Sequence, residues 1–349
     1  MVLGSAMEKI KKFTIAIVAS TVLLTTFSFY LYQVIRSPNI LVDKPNKKIM
    51  ILQGTSFKAL QDSLYKDGVV KDIVAFSFLA RLMKYNQKII PGCYVLKTNM
   101  SNWEAIRLFK SGSRAPANIV LNNVRTNEEI ARKLTNNIKA SAHAIEVLLN
   151  DAALVSQYGF NLETIRTMFI PNTYEVYWAI TPQDLMKRMY QEYQRFWNKQ
   201  RLRKAKALNL TPIEVSILAS IVQQETNKID ELPIIAGVYI NRLRKGMRLQ
   251  ACPTLKYAMG DFPRRILKKY REIDSPYNTY KHKGLPPGPI NVPSIAAIDA
   301  VLNLKKHNYL YFTAKEDFSG YHHFATTLQA HLRNAKRYQR ALNKIGTYR

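Results

Sequence analysis

A run of 23 residues without a charged side chain, residues 13–35, constrains this chain more than any other feature of its sequence. As an α-helix the run is about 34 Å long at about 1.5 Å per residue, which is enough to cross a lipid bilayer. A cleaved signal peptide is the alternative, but its apolar region is shorter, about 7 to 15 residues, and no small-x-small cleavage site follows here. Tyr30 and Tyr32 are typical of a membrane interface. We therefore predict an uncleaved transmembrane helix at 13–35, after a short tail (1–12) and before a polar linker (36–47).

The chain is strongly basic. Lys and Arg outnumber Asp and Glu by 52 to 24, a formal net charge of +28, which predicts attraction to nucleic acid, anionic lipid headgroups or an acidic cell-wall polymer. A membrane anchor favours the last two, and the basic residues are spread along the chain without a recognisable nucleic-acid module. Basic residues flank the predicted span on both sides, so charge alone does not predict its orientation.

The two cysteines, Cys93 and Cys252, form neither a CxxC nor a metal-ligand spacing. A disulfide between them stays open. Two buried, apolar thiols are favoured, since the 158 residues between them indicate different domains. The sequence predicts no metal and no cofactor.

The residues after the anchor predict two α/β units. Residues 48–111 alternate between strand and helix patterns, and glycine and proline at 112–116 interrupt both periodicities. A second, larger unit follows at 117–349. It begins with a strand at 118–121 and a capping box at Thr126 and Glu129, and it continues as a helical region to about residue 206, interrupted at 169–174. The fold class predicted is α+β, with an N-terminal transmembrane helix.

One carboxylate, Glu225, ends an apolar helical stripe in the second unit. Thr211, Pro212 and Glu214 form a capping box with proline at the first helical position, so a helix begins there. Helical spacing from Leu218 then places Glu225 on the buried face. Burial disfavours the ionised form, so its pKa is expected to be raised and the residue suits a general acid. From the helix alone, a structural salt bridge to an arginine is an equal alternative.

The residues that follow are unusually rich in amide, hydroxyl and aromatic side chains. A helix at 236–245 is stopped by Gly246, and the chain then reads as extended and turn-rich through 247–254, 275–280 and 284–291. Sugar rings present apolar faces to tyrosine and hydroxyls to amides, so this chemistry suits a glycan groove. Proline-rich loops are more often simple turns; the coincidence with Glu225 favours a site.

At these residues the chain resembles the membrane-anchored endolytic murein transglycosylases of the MltG type, or YceG-like family. The resemblance extends from the anchor to about Leu342 and is strongest over residues 218–327. The matching motifs are Ala219-Ser220-Ile221-Val222 leading to Glu225-Thr226, Asn241-Arg242-Leu243, Gly246-Met247-Arg248-Leu249-Gln250, Pro253-Thr254, Tyr277-Asn278-Thr279-Tyr280, Gly284-Leu285-Pro286-Pro287, Tyr309-Leu310-Tyr311-Phe312, and His322 with residues 324–327.

The resemblance implies a lytic transglycosylase in the cell inner membrane, with the bulk of the chain in the periplasm. It implies a LysM-like subdomain at 48–111 and a YceG-like catalytic domain at 117–349, and it maps the family's catalytic Glu onto Glu225. Three positions depart from the family pattern, since Gln223, Cys252 and Asn172 stand where members commonly carry an acid. These departures argue against a second acid at those positions.

Such an enzyme cleaves peptidoglycan glycan strands without water, through attack of a sugar hydroxyl, so one carboxyl group suffices where hydrolysis needs two. The candidates for positioning the substrate are Gln250, Thr254, Tyr277, Asn278, Tyr280 and His322. The expected partners are glycan strands, cell-wall synthases of the penicillin-binding class and membrane lipid, but no nucleic acid. Asp274 is the strongest rival acid. The alternative function is a noncatalytic, tethered glycan-binding scaffold that recruits synthases.

Overall fold

The computed structural model of the chain describes residues 2–42, 45–112, 116–260 and 268–344. It divides into two compact units, one of residues 1–117 with 175–179 and one of residues 118–174 with 180–349. Helices dominate, and the strands pair into small two-stranded sheets. The predicted α+β class is confirmed.

The N-terminal helix, α1 (Val2–Arg36), begins the first unit. Within the described part of the chain it is the one unbroken helix that is long and apolar enough to cross a membrane, over Lys11–Arg36. Its threonines satisfy their own hydroxyl groups, as a lipid environment requires. Thr21 donates to the carbonyl of Ile17 at 2.8 Å, and Thr26 donates to that of Val22 at 2.8 Å. The prediction of a helix able to span a bilayer is confirmed.

The rest of the first unit is a small α/β arrangement. Its elements are β1 (Asn46–Ile51), α2 (Phe57–Lys66), α3 (Ile73–Leu82), β2 (Gly92–Lys97) and α4 (Asn102–Ser111). β1 and β2 are antiparallel, with Asn46 opposite Lys97 and Ile51 opposite Gly92. Serine or aspartate N-caps begin all three helices after α1, because their side-chain oxygens accept the first free N–H groups.

Residues 38–42 were expected to belong to a polar linker, but the structure packs them into the first unit. The side chains of Ile40 and Val42 join its core together with Val34 from α1. The Asn102 side chain donates to the carbonyl of Val34 at 2.9 Å, and Ile40 forms a β-bridge with Val70. Removing the apolar surface of these side chains from water lowers the free energy of the folded chain. α1 therefore continues into the unit without an unpacked linker.

The second unit is larger and mainly helical. Its elements are β3 (Pro116–Leu121), α5 (Asn127–Thr135), α6 (Ala142–Leu149), α7 (Ala152–Gln157), β4 (Asn172–Tyr177), α8 (Pro182–Phe196), α9 (Lys199–Ala207), α10 (Pro212–Glu225), α11 (Leu232–Arg244), α12 (Cys252–Ala258), α13 (Ile295–Leu302), β5 (Tyr311–Ala314), β6 (His322–Ala325) and α14 (Leu328–Lys344). Residues 116–117 of β3 and 175–177 of β4 fall within the ranges of the first unit. β3 pairs with β4, and β5 pairs with β6 in antiparallel register.

Two details of this unit differ from the sequence prediction. α11 begins at Leu232 rather than at residue 236, with a proline in its first turn. The segment at 247–254 was predicted to be extended and turn-rich, but its residues 252–254 begin α12, because Pro253 occupies the first turn, where a missing N–H costs nothing. The capping boxes predicted at Thr126 and at Thr211 are both confirmed.

α10 is the central helix of the second unit. Its capping box closes with the Thr211 N–H donating to Glu214 at 2.8 Å and the Glu214 N–H donating to Thr211 Oγ1 at 3.2 Å. Residues 215–222 are all buried, and the helix packs against α11 and α13. Burial is lower in the first turn, at residues 212–214, and again in the last turn, where Gln224 is exposed and Glu225 is partly exposed. The core therefore holds the helix and presents Glu225 at its end.

Candidate active site

Glu225 is held by a tyrosine from the neighbouring helix. The hydroxyl group of Tyr239, in α11, donates to Glu225 Oε1 at 2.5 Å. The Tyr239 ring is buried, and it packs edge-to-face on Phe312 of β5 at 5.9 Å between centroids. Because both helices belong to the core, this contact fixes the carboxyl group in one orientation.

The surroundings of Glu225 raise its pKa to about 7, from an ordinary value of 4.5. Burial is the main cause, and the hydrogen bond from Tyr239 and the charges of Lys256 and Arg242 oppose it. The pKa of Tyr239 is raised well above its ordinary value by burial and by the charge of Glu225, so its hydroxyl remains a donor at neutral pH. The predicted raised pKa is confirmed. A carboxyl group with a pKa near 7 can release and accept a proton at physiological pH.

A pocket of about 240 Å³ opens beside this carboxyl group. Its walls come from the end of α10, from α12 and from two loops. The lining residues are Arg125, Gln224, Glu225, Cys252, Pro253, Lys256, Tyr257 and Ile290. Among them Glu225 is the single carboxylate, and it faces two cations, one aromatic ring and apolar surface.

Two of the predicted substrate-positioning residues adjoin this pocket through residues that line it. The Tyr277 ring packs on that of Tyr257 at 4.7 Å between centroids. The Tyr280 hydroxyl group lies 3.1 Å from Cys252 Sγ. Both tyrosines therefore support the pocket wall.

Three other candidates serve the backbone that carries these tyrosines. Thr254 and Asn278 are fully buried. Thr254 Oγ1 lies 2.8 Å from that of Thr279, and the Asn278 amide donates to the carbonyl groups of residues 271 and 273. Gln250 is exposed in a left-handed backbone conformation, and its N–H donates to the carbonyl of Thr279 at 3.1 Å. These contacts join the two loops.

His322 lies on a second, buried carboxylate, Glu231. The His322 N–H donates to Glu231 Oε1 at 2.8 Å, and its Nδ1 lies 2.7 Å from Oε2. Thr226, the residue after Glu225, donates to the same Oε2 at 3.3 Å. Glu231 thus connects β6 to the residue that follows α10.

Gln223, one of the positions that depart from the family pattern, has a structural role. Gln223 Oε1 accepts the Ser294 N–H at 2.6 Å, just before α13. Asp274, the rival acid, has a side chain that is 94% exposed and lies 3.8 Å from Lys281, so it faces water.

Both cysteines are free. Cys93 is buried as expected, but Cys252 is exposed, because α12 turns its side chain toward the pocket.

Sequence reasoning missed several residues of this site. Tyr239 was in a predicted helix, but its partner is 14 residues away and depends on how α10 and α11 pack. Lys256 and Tyr257 follow the segment at 247–254 and belong to no motif, and Arg125 lies 100 residues before Glu225. The one available signal was Tyr239 itself, a hydroxyl group in an otherwise apolar stretch.

The Glu231 contacts give a testable prediction. Glu231→Ala leaves the His322 backbone N–H and ring buried without an acceptor, so we expect the free energy of unfolding to fall by about 2–3 kcal/mol. Thermal and denaturant unfolding of the full chain in detergent measure this loss. Asp230→Ala, at the exposed neighbouring position, is the control and is expected to change stability by less than about 0.5 kcal/mol. Equal stability of the two variants would contradict the role assigned to Glu231.

The chain is similar to several known proteins. The sequence matches the model of the YceG-like family over residues 49–337. An endolytic murein transglycosylase of Streptococcus pneumoniae serotype 2 (strain D39) is 29% identical over 359 positions, covering 93% of this chain and 65% of that protein. One of Bacillus subtilis (strain 168) is 29% identical over 324 positions, covering 87% and 88%. The chain thus spans about two thirds of the length of its pneumococcal relative.

A solved structure is also similar. The crystal structure of a putative YceG-like protein from Listeria monocytogenes superimposes with a TM-score of 0.54 at 26% sequence identity. The match covers 83% of this chain and 99% of that one.

Proposed function

This chain belongs to the YceG-like family, and from that premise we propose that it is a membrane-anchored endolytic lytic transglycosylase. It cleaves the β-1,4 bond between N-acetylmuramoyl and N-acetylglucosaminyl residues within peptidoglycan strands, in particular nascent ones. The products are strands with 1,6-anhydro ends, and cleavage sets strand length. Relatives that are named endolytic murein transglycosylases, at 29% identity, support this proposal.

In the proposed mechanism Glu225 acts twice. Its carboxyl group first gives its proton to the glycosidic oxygen as the bond from C1 to that oxygen breaks, and the leaving sugar departs with a free hydroxyl group. The carboxylate then takes the proton of the muramoyl C6 hydroxyl as the C6 oxygen bonds to C1. Glu225 is protonated again, and no water is consumed. Intramolecular attack needs no second reactant, so the protein's main task is orientation of the sugar.

One observation carries this proposal: among the described residues that line the pocket, Glu225 is the single carboxylate, and its pKa is about 7. Glycoside hydrolysis with two carboxyl groups needs a partner acid about 5–9.5 Å away. Among the described residues that line the pocket there is none, and Glu231 accepts bonds from His322 and Thr226 instead. A single group that exchanges its proton near neutral pH suits an acid that becomes a base within one turnover.

The remaining parts of the proposal concern place and partners. α1 anchors the chain in the cell inner membrane as a single span, with the bulk of the chain in the periplasm, where peptidoglycan lies. The first unit is LysM-like and binds glycan, and cell-wall synthases are partners. The residues that position the strand, by direct contact or by supporting the pocket wall, are Gln250, Tyr277 and Tyr280. His322 lies at the edge of the site.

Mass spectrometry of the products from purified peptidoglycan tests this function directly, because it reports the bond, the anhydro end and the endolytic mode together. We expect internal fragments with anhydro ends. Fragments with reducing ends would indicate a hydrolase. A chain that binds strands without releasing fragments would be the tethered scaffold that the sequence leaves as the alternative.

Tyr239 gives a prediction about pH dependence. Glu225 must be protonated to act as the acid, so kcat/KM is expected to fall as pH rises through about 7. The Tyr239 hydrogen bond lowers the pKa of Glu225, so Tyr239→Phe raises that pKa and moves the falling limb to higher pH. Loss of the bond that orients the carboxyl group costs about 1 kcal/mol, or about fivefold in kcat/KM at low pH.

The control for this measurement is Tyr257→Phe. Tyr257 lines the same pocket, but its hydroxyl group accepts from Arg166 Nη2 at 2.8 Å. We expect the limb to stay in place in this variant. A limb that moves equally in both variants, or in neither, would remove Tyr239 from the proposed mechanism.

A further inference from the structure

A stripe of apolar side chains lies on the outer face of α3, in the first unit. Val74, Phe78 and Leu82 follow one another at intervals of four residues, so they lie on the same side of the helix. They are 72%, 51% and 64% exposed, whereas Phe76 and Leu79 on the opposite side are buried. Soluble surfaces rarely leave a contiguous apolar stripe uncovered, so this stripe marks an interaction site.

The stripe continues into a groove between α2 and α3. This groove has a volume of about 750 Å³, and its apolar lining residues are Phe57, Tyr65 and Ile73 beside Val74 and Phe78. Lys58, Gln61, Asp62, Ser77 and Arg81 complete the lining. Tyr65 is highly exposed. The apolar surface is thus broader than one helix face.

The position of this surface follows from how α1 joins the unit. Val34 is buried in the core that also contains Phe76 and Leu79 of α3, and α1 contacts both α3 and α4. Because residues 38–42 are packed into the same unit, no free connection separates the end of α1 from α3. α3 is therefore held beside the last turn of the helix that spans the membrane.

The length of α1 sets the height of this junction. A hydrocarbon layer of about 30 Å takes up about 20 helical residues, which from Phe13 reach Tyr32. Val34 then lies about 3 Å beyond that boundary, at the level of the lipid headgroups, whose layer is several ångströms thick on each side. The part of the first unit that touches α1 lies in this layer.

The charge around α3 matches that environment. Residues 37–117 contain 13 basic and 5 acidic residues. Lys71 precedes α3, Arg81 lies in its last turn and Lys84 follows it, and all three are exposed. Cations bordering an apolar face are typical of helices that lie in a membrane surface with anionic headgroups.

We infer that α3 is an interfacial helix. Val74, Phe78 and Leu82 insert between the lipid headgroups of the leaflet through which α1 leaves the bilayer, and the neighbouring cations bind anionic headgroups. The stripe has no hydroxyl or amide group of its own, so it suits acyl chains better than a glycan. The first unit thus has a second contact with the membrane, beyond the span itself and independent of the proposed enzymatic activity.

Spin labels on the full chain in lipid nanodiscs test this inference. In a Cys93→Ala, Cys252→Ser background, Val74→Cys and Phe78→Cys place labels on the stripe, and Val18→Cys marks the middle of α1. Val147→Cys is the matched control, because Val147 is a valine that is 53% exposed on α6, in the second unit. Accessibility to oxygen, which partitions into lipid, is compared with accessibility to a nickel complex, which stays in water.

We expect the oxygen-to-nickel ratio at Val74 and Phe78 to exceed that at Val147 by at least about threefold, as for side chains at the acyl boundary. The ratio is expected to fall when anionic lipid is replaced by zwitterionic lipid. Nickel-accessible labels at Val74 and Phe78, with Val18 in lipid, would overturn the inference and point to a protein or glycan occupant. Nickel access at Val18 as well would overturn the span on which the inference rests. Thermal unfolding of each labelled variant confirms that the fold is retained.

Discussion

Replacing Glu225 with glutamine is expected to reduce the release of anhydro-ended fragments by about 10²- to 10⁴-fold, the usual contribution of a general acid. Glutamine keeps the shape and the contact with Tyr239 but cannot supply or accept the proton. The measurement is mass spectrometry of fragments released from purified peptidoglycan by the full chain in detergent. Binding of strands is expected to persist.

The control is Asp274→Asn, which changes the strongest rival acid. Its side chain is 94% exposed to water, so we expect activity within about twofold of the parent. If Asp274→Asn abolishes cleavage, the assignment of the acid is wrong. If Glu225→Gln releases as many fragments as the parent, the single-acid mechanism fails.

The Glu225→Gln variant is also expected to be more stable than the parent. The pKa of Glu225 is about 7 in the folded chain and ordinarily about 4.5, so the unfolded chain ionises more easily and the folded chain loses stability as pH rises above 4.5. The loss is complete above pH 7, where it is at most about 3 kcal/mol, at 1.36 kcal/mol per pKa unit. The stability gain of Glu225→Gln should therefore appear at pH 8 and vanish at pH 4, in thermal unfolding.

The second large effect is expected at Gly288, in the proline-rich loop of the second unit. A Cβ atom at this position would lie 2.3 Å from the carbonyl oxygen of Glu163 and 2.8 Å from the Tyr277 hydroxyl. The first of these neighbours is backbone and cannot rotate away. Gly288→Ala is therefore expected to lower the free energy of unfolding by about 3 kcal/mol or more, at the upper end of the cost of overpacking. Cleavage should also fall, because Tyr277 supports the pocket wall through Tyr257.

Pro287→Ala is the matched control for this substitution. Pro287 is the preceding residue and is exposed, so truncation there removes little packing. Denaturant unfolding of the two variants separates the clash from general loop loosening. Comparable losses in both variants would show that the close approach at Gly288 does not govern stability.

Local sequence patterns predicted the helix that carries Glu225 and the position of Glu225 at its end. The capping box at Thr211 places the start of α10 within one residue, and the apolar spacing that follows places Glu225 at its end, because both signals act within a few residues. The raised pKa followed from burial alone. The existence of the N-terminal helix followed from its length and lack of charge.

The contacts that complete the site were not predictable in this way. Glu231 and His322 are 91 residues apart and meet only because β6 folds onto the segment after α10. α12 was missed because its N-cap residue, Ala251, makes no side-chain hydrogen bond and Pro253 resembles a helix breaker. The capping of Ser294 by Gln223, across 71 residues, likewise depends on the tertiary fold. Such partners are set by packing between elements, for which a single sequence gives no local signal.

The burial of α10 has a consequence for motion. Core helices open only with the whole fold, whereas loops open at far lower cost. Glu225, at the end of α10, is therefore held by the core, and the loops beside it are held to each other by the bond from the Gln250 N–H to the Thr279 carbonyl. We therefore expect the proposed proton donor to keep its position while a strand binds and leaves.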